Sequence, residues 1–124
     1  MKNLLFISML LMILSSSCSS TKISTEEIEI IQNHWIHSHE EDQNDIRNYH
    51  TSDFDFPPSR GRERFSLNPN GELEYIPISP NDEPIKYNGT WEIQGSLLRL
   101  EYNQSTIEYK IIEISNKTLK LKLK

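Results

Sequence analysis

An all-β domain, built as an eight-stranded antiparallel meander that closes into a small barrel, is the fold class this sequence predicts. Three observations predict it. From residue 34 onward apolar and polar residues alternate with a period of two, in runs too short for long helices. Clusters of Pro, Gly, Asn and Ser separate the runs. The chain also ends inside its cleanest alternation, Leu119-Lys120-Leu121-Lys122-Leu123-Lys124, which would be an unprotected edge unless the sheet closed on itself.

The first residues follow a different logic. Met1-Lys2-Asn3 precedes the apolar run Leu4 to Leu14, which meets Ser15-Ser16-Ser17-Cys18. That order is a positive n-region, an h-region and a small-residue cleavage site. Eleven helical residues at ~1.5 Å each would cover only about half of a ~30 Å hydrocarbon core, so a permanent span is a poor alternative. Leu14-Ser15-Ser16-Ser17-Cys18 resembles a lipobox, with Ser15 where Leu is commonest. Residues 1–17 are therefore expected to be a cleaved lipoprotein signal peptide, Cys18 the lipidation site, 18–23 a tether and 24–124 the folded domain. The chain has a single cysteine, and thioether formation with diacylglycerol would explain both its position and its solitude. This places the protein in the cell envelope, held to a membrane through its N-terminal lipid, and at the outer membrane if the source is Gram-negative.

Without residues 1–17 the chain keeps 107 residues and loses only Lys2 among its charges, so the net charge moves from −5 to −6. One domain fits that length. Its acidity argues against nucleic acid and against electrostatic adhesion to anionic lipid. With no disulfide available, the core alone must hold the domain.

Ser24 and Glu27 form the S-x-x-E signature of a capping box, and Ile23 and Ile28 stand where a hydrophobic staple needs them. Ile28, Ile31 and Trp35 share one helical face, so a short helix over 25–33 is expected to deliver Trp35 to the core. Strands are expected at 34–40, 46–51, 62–67, 72–78, 86–93, 97–102, 106–114 and 117–123. Asn70-Gly71 is the sharpest hairpin signal, since that pair accepts the positive φ angles of a type I′ turn. Alternation points Phe65, Leu67, Leu73, Tyr75, Tyr87, Trp91, Ile93, Leu98, Leu100, Tyr102, Ile107, Tyr109, Leu119, Leu121 and Leu123 inward. Ile111-Ile112 breaks the phase, and a β-bulge there, or a strand buried on both sides, would account for it.

Trp35 behind a short helix, the Arg62 to Tyr75 hairpin, Gly89-Thr90-Trp91, Gly95, Leu98-Arg99-Leu100 and a closing strand pair at 106–123 together form a pattern. On these residues, 24–123 resembles the small lipocalin-like, calycin-type barrel domains of bacterial lipoproteins. The chain departs from the larger lipocalins at Asn33-His34-Trp35, where Asn holds the Gly place of Gly-x-Trp. Gly89 is expected to let the Trp91 ring lie across the strand. The resemblance implies a barrel whose interior is filled by side chains or leaves room for one small ligand.

The aromatic residues expected to line any cavity are Tyr75, Tyr87, Trp91, Tyr102 and Tyr109, whose hydroxyls could orient a small hydrophobic or amphipathic ligand. His37 and His39 share a strand face, with His50 nearby, yet nothing in the pattern supplies the fixed ligands of a tight metal site; no metal and no cofactor are expected. Arg60, Arg62 and Arg64 alternate onto one face beside Lys86 and Arg99 and could clamp a carboxylate or phosphate, or pair with Glu72 and Glu74 across a hairpin. Lys117, Lys120, Lys122 and Lys124 could face anionic headgroups, with Cys18 holding the domain near a bilayer, or could equally be the solvated face of a strand protected by charge. No nucleophile can be placed with its base, and no H-E-x-x-H, G-x-S-x-G or Gly-rich phosphate loop occurs, so the chain is not expected to be an enzyme. The expected activity is non-enzymatic binding in the envelope, of a small molecule or of an envelope protein. The rival is a protein-directed inhibitor or immunity lipoprotein acting through the loop Asp53 to Gly61.

Overall fold

The computed structural model describes residues 22–78 and 83–124, where one short helix precedes eight strands. Residues 1–21, Cys18 included, and the expected turn over 79–82 lie outside the described residues. Helix α1 (Thr25–Ile31) begins as its capping box dictates: the Ser24 hydroxyl accepts the Glu27 N–H at 3.1 Å, and the Glu27 carboxylate accepts the Ser24 N–H at 3.1 Å. It ends two residues earlier than expected, because Gln32 leaves helical geometry. The Ile31 carbonyl so freed accepts the Trp35 indole N–H at 2.8 Å, and both residues are fully buried.

The strands are β1 (His34–His37), β2 (Ile46–His50), β3 (Arg64–Asn68), β4 (Glu72–Ile76), β5 (Tyr87–Gln94), β6 (Leu97–Tyr102), β7 (Ser105–Ile114) and β8 (Thr118–Leu123). Every pairing is antiparallel and the sheet closes in the order β1-β2-β8-β7-β6-β5-β4-β3. From β3 to β8 the order follows the chain. At the seam β1 stands between β2 and β3, so residues 51–63 must cross it. β1 is also shorter than the expected 34–40, because His39–Glu41 turn as a 3₁₀ segment stopped by Asp42.

Turn chemistry explains the hairpins. Asn68 pairs with Glu72, so Pro69 joins Asn70 and Gly71 in a three-residue connection instead of the expected two-residue turn. Asn70 (φ 66°) and Gly71 (φ 75°) nevertheless both adopt the left-handed region. Two-residue turns with both φ angles positive lie instead at Asn103-Gln104, between the paired Tyr102 and Ser105, and at Asn44-Asp45, between the bridged Gln43 and Ile46.

The expected bulge is present. The β7–β8 register shifts between Ile111 and Glu113, leaving Ile112 42% exposed while Ile111 and Ile114 pack on the core. Phe65, Leu67, Leu73, Leu98, Leu100, Leu119 and Leu121 fill the interior, each at most 1% exposed. Six expected core residues differ: Tyr87, Trp91, Ile93, Tyr102 and Ile107 face inward but are only partly buried, and Leu123 is exposed. Trp91 donates its indole N–H to the Asn68 carbonyl at 2.8 Å. Leu123 is 56% exposed because β2 begins opposite Lys122, so Leu123 extends past its neighbour. Gly89 has a different reason from the one expected: a Cβ there would lie 1.9 Å from the Glu101 carbonyl oxygen, so β6 backbone rather than the Trp91 ring requires glycine.

Candidate ligand-binding site

The two ends of the barrel are built differently. At the base, where β1 starts, α1 packs against β7, and Ile23 and Ile31 join the core. At the other end, where β4 and β6 finish and β5 begins, inward-facing Tyr87 and Tyr102 remain partly exposed. The Tyr102 ring stacks on Tyr75 at 4.3 Å and meets Tyr87 at 5.4 Å. Behind Tyr75 the rings continue through Phe65 (6.5 Å) and Tyr49 (5.1 Å) to His37 (5.0 Å). Of the five expected cavity residues, Tyr75, Tyr87 and Tyr102 are therefore brought together. Tyr109 is buried beside Tyr49, and Trp91 stands apart against the β3–β4 turn.

Glu63, just before β3, is 7% exposed and lies inside the wall. Its carboxylate accepts the Tyr49 hydroxyl at 2.5 Å and the Tyr75 hydroxyl, and the Arg47 guanidinium stands 3.7 Å away. Burial, reinforced by the Glu63 charge, pushes the Tyr49 and Tyr75 phenols far above their usual range and Tyr109 up to about 12. All three stay protonated, so Tyr49 and Tyr75 act as donors to Glu63. A buried carboxylate with two phenols and a guanidinium is a satisfied polar cluster of the kind that orients a ligand at its margin. Sequence reasoning missed Glu63, Tyr49 and Arg47. Parity held the signal: Glu63 alternates in phase with Phe65 and Leu67, and Arg47 with Tyr49.

The histidines do not converge. His37 points inward and bonds Asp42 Oδ2 through Nε2 at 2.8 Å, whereas His39 sits on the 3₁₀ turn, half-exposed. Their expected common face is lost because β1 stops at His37. His50 bonds Glu41 at 2.5 Å and stacks on Phe54 at 3.8 Å. Among the described residues no group of three or more His, Cys, Asp or Glu is placed to hold a metal ion.

Arg60, Arg62 and Arg64 line one recess as expected, whereas Lys86 and Arg99 lie apart from it. Arg62 makes a bidentate pair with Glu40 at 2.6 and 2.8 Å, which holds the Glu40 carboxyl down at about 2, and it also bonds the Pro57 carbonyl. Arg99 serves Glu92, Glu101 and Glu108, while Lys86 takes Glu74, the acid proposed for an arginine. Lys117, Lys120 and Lys124 pair with Asp53, Glu113 and Glu108.

Compared with known proteins, residues 22–121 match the family model of the lipocalin-like domain. No curated protein and no solved structure matches. Because the matched span takes in α1 and runs nearly to the end of β8, the chain belongs to the lipocalin-like domain family.

Proposed function

We propose that this is a non-enzymatic binding lipoprotein of the cell envelope, taking a small amphipathic molecule at the barrel end opposite α1. The observation that carries the reading is the Tyr75–Tyr102–Tyr87 stack, partly exposed at that end and backed by Glu63 and Arg47. Exposed ring faces offer an apolar platform, and phenol, carboxylate and guanidinium groups supply the few polar contacts that fix orientation. The interior below is filled by side chains, so the ligand would rest in the mouth with little depth available.

Lipidation of Cys18 fits the same geometry. Six residues from Cys18 to Ser24 reach at most about 20 Å, so an anchored chain keeps its base near the bilayer and turns its mouth away. Ligand would then arrive from the aqueous side. Metabolic labelling with a clickable palmitate analogue tests the anchor: the wild type should be labelled, and equal labelling of Cys18→Ala overturns it.

Native mass spectrometry of protein purified from its own host tests the binding reading. A small co-purifying mass, lost in Tyr87→Ala, supports it. A co-purifying protein without any small mass favours the inhibitor or immunity reading instead.

A further inference from the structure

A second recess lies outside the barrel wall and shares no residue with the tyrosine stack. Ile36, Arg64 and Ile76 are register partners on β1, β3 and β4, and their neighbours Trp35, Phe65 and Tyr75 point inward. By alternation the three side chains form one outward row, the floor of a cleft of about 390 Å³. Phe56 and Pro57 make one wall, where the loop crosses β1, and Pro77 and Ile78 make the other. Arg62 fastens the first wall by its bonds to Glu40 and the Pro57 carbonyl.

The lining is about half apolar and half polar, with three arginines, Arg60, Arg62 and Arg64, set among its apolar side chains. Arg60 and Arg64 both face the cleft, and among the described residues neither has a carboxylate within 4.0 Å, although the molecule is acidic overall. Arg64 is felt locally: after burial, its charge is the second cause lowering the His34 pKa. A cleft whose floor and walls carry apolar side chains beside two such guanidiniums complements an apolar chain ending in one anionic group. Its volume falls in the range of small-molecule sites. Ile78, 57% exposed, extends the apolar surface at the rim.

We propose that this outer cleft binds a free single-chain carboxylate amphiphile, with Arg64 and Arg60 on the carboxylate and Ile36, Phe56 and Ile76 on the chain. The site is independent of the barrel mouth and stands even if the mouth binds nothing.

The test uses the full chain in zwitterionic nanodiscs with ¹³C-labelled isoleucine δ1 methyls, titrated with octanoate. Ile36, Ile76 and Ile78 report on the cleft, and Ile107, on the inward face of β7, reports on the mouth. Octanoate should shift the three cleft methyls to saturation and leave Ile107 in place. Octylammonium, with the same tail and opposite charge, should bind at least about tenfold more weakly, as should octanoate to Arg64→Gln, with part of the affinity restored in Arg64→Lys. Equal binding of the two amphiphiles, or shifts confined to Ile107, overturns the proposal. Cleft methyls that respond to nanodiscs of anionic lipid but not to octanoate also overturn it, making the surface a membrane contact.

Discussion

Tyr49 donates its phenolic hydrogen to Glu63 across 2.5 Å, tying β2 to the entry of β3 from opposite sides of β1. These strands are not sheet neighbours, and 51–63 is the longest connection among the described residues. A directional bond between interior side chains therefore fixes where that loop must end. Tyr75 completes the fixture from β4, and the ring column through Phe65 carries it to the barrel mouth. The cluster serves the fold first, and the candidate site is its exposed margin.

Removing the acceptor should cost more than removing the whole set. Glu63→Leu leaves two buried phenols without their carboxylate, at about 1–3 kcal/mol each. Adding Tyr49→Phe and Tyr75→Phe to Glu63→Leu should restore part of that loss, since all three groups then become apolar together. Urea denaturation of the single and triple variants measures the difference. A triple variant weaker than the single would mean that the phenols have other partners.

The two tryptophans should behave differently. Trp35 is fully buried with its N–H on Ile31, so Trp35→Ala should cost ~3–5 kcal/mol. Trp91 is partly buried, and Trp91→Ala should fall below that range, near ~2 kcal/mol. Acrylamide should quench Trp91 in Trp35→Phe, and barely touch Trp35 in Trp91→Phe. Equal quenching of both would place Trp91 in the core after all.

Period-two patterning made the strands, their closure and the bulge at Ile112 legible, because one buried face constrains every second residue whatever the neighbours are. Strand ends were less legible. β1 stops at His37 because the Asp42 carboxylate accepts both from the His37 ring and from the Asn48 N–H, a contact no local pattern encodes. The seam between β2 and β3 depends on residues 14 and 12 positions apart meeting at Glu63, which periodicity cannot report. Glu63 itself was hidden by its type, since a carboxylate in a strand ordinarily marks the wet face. Of the candidate site, the tyrosines were found by their parity and aromaticity; the charged groups behind them were not.

Gly89 should tolerate no side chain. A Cβ there would lie 1.9 Å from the Glu101 carbonyl oxygen and 3.0 Å from Tyr102 Cβ, so two paired strands must part. Gly89→Ala should cost at least ~1–3 kcal/mol and lower the melting temperature clearly. Gly61→Ala, with nothing within 4 Å, should change it little. Thermal unfolding by circular dichroism compares the two, and similar melting temperatures would show that β5 and β6 can separate without loss.

Stability should fall as the solution is acidified from pH 7.5 toward 5.5, and His37 should account for much of the fall. Burial holds its pKa below the ordinary 6.5, with the Asp42 bond opposing. Arg47 reinforces the neutral form: its guanidinium stands 3.4 Å from Nδ1, which can accept only while it carries no proton, and Nε2–H then donates to Asp42. Unfolded chains take up the proton near pH 6.5 and folded chains only at lower pH. Between those values the unfolded state holds more protons, so stability is fully present above 6.5 and is lost as pH falls to the folded pKa, by at most ~1.4 kcal/mol per pH unit for one group. His34 shifts the same way, so the comparison needs His34→Gln and His37→Gln separately. Glu40 and Asp53, each held at about 2, lose their contribution only at lower pH, which leaves this window to the histidines. Urea midpoints at pH 7.5, 6.5 and 5.5 should decline in the wild type and flatten in His37→Gln. A wild-type midpoint that rises on acidification would show that Asp42 prevails over burial and that His37 is a folded-state imidazolium.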